Sequence, residues 1–367
     1  MANHYIGLIS GTSMDGIDAV VASFGKARTK LHAALSHPYP ARLRSDLAHA
    51  VANPTDCTVD EIGLLDAWVG ECFRDAALAV MQQAGVSADD VAAIGSHGQT
   101  IRHQPDAERP FSMQIGDPSI IAQGAGVMTV ADFRRADIAA GGQGAPLVPP
   151  FHRWLFGRAN KNRVVLNIGG IANITILGAG DTAVTGFDTG PGNTLLDRWT
   201  AMHRQEPFDR GGAWAAEGKV IEELLEAFLS YDYFERQPPK STGLEEFNLE
   251  WLTARAALDY DSRDIQATLC ELTARTVADD LKRYAPETEE LFVCGGGAHN
   301  EELLRRLACN LPETKVDTTT VAGLDPDWVE AAAFAWLAMR RMKNQPGNLP
   351  SVTGASRKIM LGALHSP

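Results

Sequence analysis

One pattern occurs twice in this chain: an apolar run, a tip of glycines and small polar residues, and a second strand-like run. The first copy is Tyr5-Ile6-Gly7-Leu8-Ile9, the tip Ser10-Gly11-Thr12-Ser13-Met14-Asp15-Gly16, and then Ile17 to Phe24. The second is Arg163-Val164-Val165-Leu166, the tip Asn167-Ile168-Gly169-Gly170, and Ile171 to Leu177. Each reads as a hairpin whose tip exposes backbone amides. Such amides can form a concavity that holds phosphate oxygens. An ordinary tight hairpin is the alternative, and the first tip lacks the Gly-Lys-Ser/Thr ending of a P-loop. The likeness between the copies is one of pattern rather than identity, and it suggests a duplicated fold with a ligand held between similar loops.

Strand and helix signals alternate through the remainder, which predicts an α/β chain. Helical periodicity runs from about Ile62 to Ala84 and from Asp264 to Tyr284. At 367 residues the chain should form two domains. The polar, glycine-rich passage from Asp132 to Gly144 is the expected boundary. Hydrophobic residues make up 45%, enough for a large core without staples.

Gly186-Phe187-Asp188-Thr189-Gly190-Pro191-Gly192-Asn193 places one acid among glycines, after the strand-like Ala183-Val184-Thr185 and before a helix start. The reading puts Asp188 on a stiff turn between strand and helix, open to a ligand and suited to be a catalytic base. Bracing the turn is the alternative. His97 follows a buried-strand run and is expected either to contact substrate or to make a structural hydrogen bond. Glu290 to Cys294 enters Gly295-Gly296-Gly297 and then a helix, an arrangement in which a nucleotide can lie close to backbone. Glu330 lies three residues after Asp327, so it reads either as half of a capping box or as a site residue. Lys240, in the proline-rich loop Gln237 to Gly243, is either an anion contact or a solvated loop lysine.

A net charge of -13 argues against broad nucleic-acid or anionic-membrane binding. No basic region followed by an apolar stretch opens the chain, and no apolar run would span a bilayer. The five cysteines form no Cys-x-x-Cys pair and read as buried free thiols of a reducing compartment. A cytoplasmic location is therefore expected.

Taken as an ordered set, the motifs resemble those of the anhydro-N-acetylmuramic acid kinase family. They are Gly11-Thr12-Ser13-Met14-Asp15-Gly16-Ile17-Asp18, Ser96-His97-Gly98-Gln99-Thr100, Gln114-Ile115-Gly116-Asp117, Ala131-Asp132-Phe133-Arg134, Asn167-Ile168-Gly169-Gly170-Ile171-Ala172-Asn173, the Asp188 segment and Cys294-Gly295-Gly296-Gly297-Ala298-His299-Asn300. The resemblance implies two ribonuclease-H-like α/β domains of the actin/hexokinase/Hsp70 type around an interdomain ATP cleft. The expected lobes are 1–133 plus about 345–367, and 134–344. It implies ATP and Mg2+, with no direct metal ligand assigned, a sugar and water as reactants, and a homodimer. The substrate would be 1,6-anhydro-N-acetylmuramic acid from cell-wall turnover, and the product N-acetylmuramic acid 6-phosphate. Carried onto this sequence, Asp188 is the base. Gly11, Thr12, Ser13, Met14, Asp15, Gly16, Ile17 and Asp18 hold phosphates, with Asn167, Gly169 and Gly170 as a second wall. Gly295, Gly296 and Gly297 flank adenosine, while His97, Arg134 and Glu330 orient the sugar.

Three other readings fit less well. A conventional sugar kinase acting on a free hydroxyl would use the same fold and an Asp base. An ATP-driven switch would need a polymer-forming insert or a peptide-binding domain, and neither is evident. A sheet-rich cell-wall binding module conflicts with the alternating strand and helix signals.

Overall fold

The computed structural model describes residues 3–11, 13–180, 182–255 and 260–367. The chain divides into two compact units, Met1–Leu155 with Trp328–Pro367, and Phe156–Asp327. The expected boundary at 133/134 is therefore displaced to 155/156, and the helix Val329–Met342 belongs with the first unit instead of the second. The reason lies in the passage read as a linker. Gln143 N–H donates to Thr353 O at 2.8 Å and Gly144 N–H to Asp137 Oδ2 at 2.9 Å, which fastens this loop inside the first unit.

The first unit is built on strands β1 (His4–Ile9), β2 (Gly16–Phe24), β3 (Thr29–Pro38), β4 (Val91–Ser96) and β7 (Thr129–Ala131), with β5 (Gln99–Gln104) and β6 (Phe111–Ile115) forming a separate hairpin. The sheet order is β3-β2-β1-β4-β7, closed by the C-terminal strand Ala363–His365. Strands β1 to β3 are antiparallel, and β1, β4 and β7 are parallel. Ile6, Leu8, Ile17, Ala19 and Val21 bury one side of this sheet with Phe73, Ala76 and Val80 from the helix Val59–Ala84. That helix begins in a capping box of Thr58 and Glu61 and ends at Gly85 with φ 66°.

Two glycines explain how the helix Val329–Met342 lies on β1 and β4. A Cβ at Gly7 would stand 1.8 Å from Ala331 O, and one at Gly95 would stand 2.2 Å from Phe334 O. Only glycine lets the helix backbone come so close to the strands.

The second unit holds β8 (Arg163–Ile168), β9 (Ile171–Leu177), β10 (Thr185–Pro191), β11 (Glu290–Cys294) and β12 (Lys315–Thr318) in the order β10-β9-β8-β11-β12. Again the first three strands are antiparallel and the last two join in parallel. By position along the chain both units read third, second, first, fourth, fifth. The duplication suggested by the two hairpins is thus a shared topology, of the ribonuclease-H-like type that the resemblance implies. The helix Ser262–Tyr284 supplies the core's apolar face through Ile265, Leu269, Leu272, Val277 and Leu281. Among the described residues no helix is long and apolar enough to cross a membrane. Cys72, Cys270 and Cys294 are buried thiols as expected, but Cys309 is exposed.

Candidate active site

In the first unit the β1–β2 tip is held from beneath. Ser10 Oγ donates to Gln99 Oε1 at 2.6 Å, and Gln99 Nε2 donates to Gly11 O at 3.3 Å. Both side chains are buried. Above this anchor Gly11 and Ser13 are exposed, and Met14 takes φ 54°, uncommon for a residue with a side chain. Met14 N–H closes the turn onto Gly11 O at 3.2 Å. Asp15 points to Arg44 at 2.9 Å on the surface. Gly16, Ile17 and Asp18 are already strand, with Asp18 paired to Ile9 and Ser36. Thr12 lies outside the described residues.

His97 and Arg134 are brought together. Arg134 Nε and Nη2 lie 3.2 and 2.8 Å from His97 Nε2, and Arg134 Nη1 donates to Gly144 O at 2.8 Å. His97 Nδ1 is 3.0 Å from Gly98 O, so the ring is neutral with its proton on Nδ1, and both nitrogens are engaged. Burial first, and then Arg134, hold its pKa well below the usual imidazole range, while the bond to Gly98 O opposes them. Arg134 itself is lowered to about 10 by desolvation, with Glu330 opposing. Glu330 keeps solvent contact, yet burial is the main cause raising its carboxyl, followed by Asp18, with Arg134 lowering it. The capping box does not form: the helix N-cap is Trp328 with no side-chain bond, and Asp327 Oδ1 meets His299 Nε2 at 2.7 Å.

In the second unit Asp188 sits inside β10, not on the turn after it. Two glycines and a proline are tolerated there because β10 is an edge strand, where a missing N–H costs no ladder bond. The register slips between Asp188 and Gly190, and Gly190 has φ 151°. Such a bulge re-aims a side chain. Asp188 Oδ2 accepts Thr242 N–H at 3.1 Å. Its backbone is pinned on both sides, N–H to Lys240 O at 3.1 Å and O from Tyr233 Oη at 2.8 Å. Among the described residues no donor reaches Oδ1. Burial raises the half-buried carboxyl to about 6, against the lowering pulls of the Thr242 amide and Lys240. That pKa suits a general base near neutral pH.

Lys240 is neither solvated nor available to an anion. Its Nζ is 2.9 Å from Asp280 Oδ2, with both side chains almost wholly buried, and it stands 5.3 Å from the Tyr233 ring centroid and 5.6 Å from that of Phe187. The expected exposed loop is therefore buried at this residue. Three glycine segments of the second unit also converge. Asn193 N–H donates to Gly169 O and Thr194 N–H to Gly170 O, at 2.8 and 3.1 Å. Gly295, with φ 76°, lies where a Cβ would stand 2.4 Å from Asn167 Oδ1, and a Cβ at Gly297 would meet Ile168. Gly296 is exposed beside them. This is a backbone-lined surface of the kind a nucleotide can approach closely.

Sequence reading missed four supporting residues. Tyr233 and Thr242 hold Asp188 from segments 45 and 54 residues away. Asp280 carried a signal: it is an acid on the buried side of the helix Ser262–Tyr284. Asp137 is fully buried, taking Gly144 N–H on Oδ2 and Asn348 Nδ2 and Thr353 Oγ1 on Oδ1, each at 2.9 Å.

A family model described as anhydro-N-acetylmuramic acid kinase matches residues 3–367. The chain belongs to this family. Anhydro-N-acetylmuramic acid kinases of Shewanella sp. (strain ANA-3) and Shewanella loihica (strain ATCC BAA-1088 / PV-4) are each 50% identical to it over 365 residues, covering 99% of this chain and 98% of theirs. Solved structures that it resembles are far more distant. A ROK family glucokinase from Streptomyces griseus in complex with glucose and AMPPNP has 14% identity and a TM-score of 0.39, covering 90% of this chain and 98% of that one. A 2-hydroxyisocaproyl-CoA dehydratase activator from Clostridium difficile with bound ADPNP has 13% identity and a TM-score of 0.42, covering 93% and 96%. Membership of the anhydro-N-acetylmuramic acid kinase family rests on the whole-chain match and the close relatives, not on these distant likenesses.

Proposed function

We propose that this chain is an ATP-dependent kinase that opens 1,6-anhydro-N-acetylmuramic acid with water and phosphorylates it to N-acetylmuramic acid 6-phosphate, in peptidoglycan recycling. Relatives bearing that activity in their name at 50% identity support the substrate. One structural observation carries the mechanism: a carboxylate poised near neutrality, one oxygen fixed and the other uncommitted.

Water attacks the anomeric carbon as Asp188 Oδ1 takes its proton. The bond from that carbon to the bridging oxygen breaks, and the bridging oxygen accepts the γ-phosphoryl group, releasing ADP. Water alone is a poor nucleophile, so the base is indispensable. Phosphoryl transfer then asks mainly for alignment and charge neutralisation. The Gly11–Asp18 tip would hold β- and γ-phosphates, Asn167, Gly169 and Gly170 would add amides, and Gly295 to Gly297 would flank adenosine. Arg134 and Glu330 would orient the sugar. His97, with both nitrogens taken, would act by fixing Arg134. Among the described residues no cluster of three or more His, Cys, Asp or Glu could cage an ion. Mg2+ would be held chiefly by nucleotide phosphates, with one or two carboxylates and water, to neutralise phosphate charge. A cytoplasmic homodimer completes the reading, and sedimentation tests the dimer.

The decisive experiment runs the reaction in 18O water with ATP and the anhydro sugar. Label at the anomeric hydroxyl of the earliest product supports hydrolytic opening. Unlabelled product, or equal ATP consumption with ordinary N-acetylmuramic acid, would return the chain to the conventional sugar kinases.

A further inference from the structure

We propose that the first unit carries a second small-molecule site, for a ring-bearing organic anion, in a recess walled by Arg153, Trp154, Trp336, Arg340, Asn348 and Lys358. The recess measures about 480 Å³, room for a nucleotide- or sugar-sized occupant. Three of its lining side chains are cations and none is an acid. That lining favours an anion. The ring requirement comes from Trp154, whose indole is backed by the buried Trp336 with centroids 6.0 Å apart and planes tilted 39°. Trp154 is only partly buried, so its ring is available to a flat or apolar face.

The cations are presented in different ways. Arg340 lies over Trp336 at 5.2 Å and is oriented by Pro346 O at 3.0 Å and Gln345 Oε1 at 2.7 Å. Burial lowers its pKa, so its charge is incompletely solvated. Lys358 is exposed, and among the described residues no acid pairs with it. The site is distinct from the sugar-orienting group, since Arg340 stands ten residues along its helix from Glu330, about 15 Å.

A ring stacked on indole with a phosphate among the cations describes both a nucleotide and a sugar phosphate. Calorimetric titration of the full chain with ADP, N-acetylmuramic acid 6-phosphate and inorganic phosphate separates them. At least one ring anion is expected to bind two sites per chain, and the one that does names the source. Lys358→Glu should weaken the second class at least tenfold, leaving the first class and basal turnover unchanged. Trp154→Ala should weaken the same class, and inorganic phosphate should bind it at least tenfold less tightly. A single class for both ring anions overturns the proposal, as does a second class that Lys358→Glu leaves within twofold, or equal affinity for inorganic phosphate. The choice of probes rests on the kinase reading, but loss of the first class alone would fault that reading and not this one.

Discussion

Replacing Asp188 with asparagine should make the protein more stable while disabling it. The folded carboxyl is raised from 3.8 to about 6. Each pH unit between folded and unfolded values is worth about 1.4 kcal/mol, so keeping Asp188 ionised costs at most about 3 kcal/mol of stability. The sign follows from proton binding. Between pH 3.8 and about 6 the folded state holds the proton more tightly than the unfolded chain, so the cost grows as pH rises and is complete above 6. Asparagine retains an acceptor for Thr242 N–H and carries no charge. Asp188→Asn should therefore raise the melting temperature at pH 8 by several degrees, at most about 10 °C. The gain should shrink below pH 6 and vanish near pH 3.8, while turnover falls by about three orders of magnitude or more. Paired thermal scans at pH 8, 6 and 4.5 with a coupled ATP assay measure both effects. A variant less stable at pH 8, or a gain that does not shrink in acid, would refute the electrostatic argument. Near-normal turnover would remove Asp188 from the chemistry.

Three further outcomes follow from the same geometry. The kcat/KM profile should fall on its acid side near pH 6, to about a tenth by pH 5 as the base protonates, and a profile flat to pH 5 contradicts this. Asp280→Ala leaves the Lys240 ammonium buried and alone, and should cost about 3–5 kcal/mol in urea unfolding. Lys240→Met with Asp280→Leu should recover much of that loss. Gly295→Ala forces a side chain onto Asn167 at φ 76°, and should raise the KM for ATP about tenfold or more with a smaller change for the sugar. An unchanged KM for ATP would separate this loop from the nucleotide.

Local pattern carried much of the fold. The helix expected from about Ile62 to Ala84 is Val59–Ala84, and that expected from Asp264 to Tyr284 is Ser262–Tyr284, because apolar spacing and caps act within a few residues. Both hairpins formed where alternation and tip glycines placed them. The misreadings arose where a distant residue decided the outcome. Lys240 looked like a loop lysine because its counterion, Asp280, is 40 residues away. Asp188 looked like a turn residue because glycine and proline signal turns, and only the sheet order shows that β10 is an edge. Asp327 and Glu330 had capping spacing, but His299 from another segment engages Asp327.

If Arg134 orients the sugar as proposed, Asp137 gives the tail of the chain a share in that recognition. Its two carboxylate oxygens knot Asn348 and Thr353, more than 200 residues downstream, to Gly144, whose carbonyl in turn holds Arg134. A polypeptide cut short ahead of Asn348 would strand an interior anion with a single donor and slacken the guanidinium two bonds away. Its first symptom would be poor grip on substrate, well before the sheets came apart.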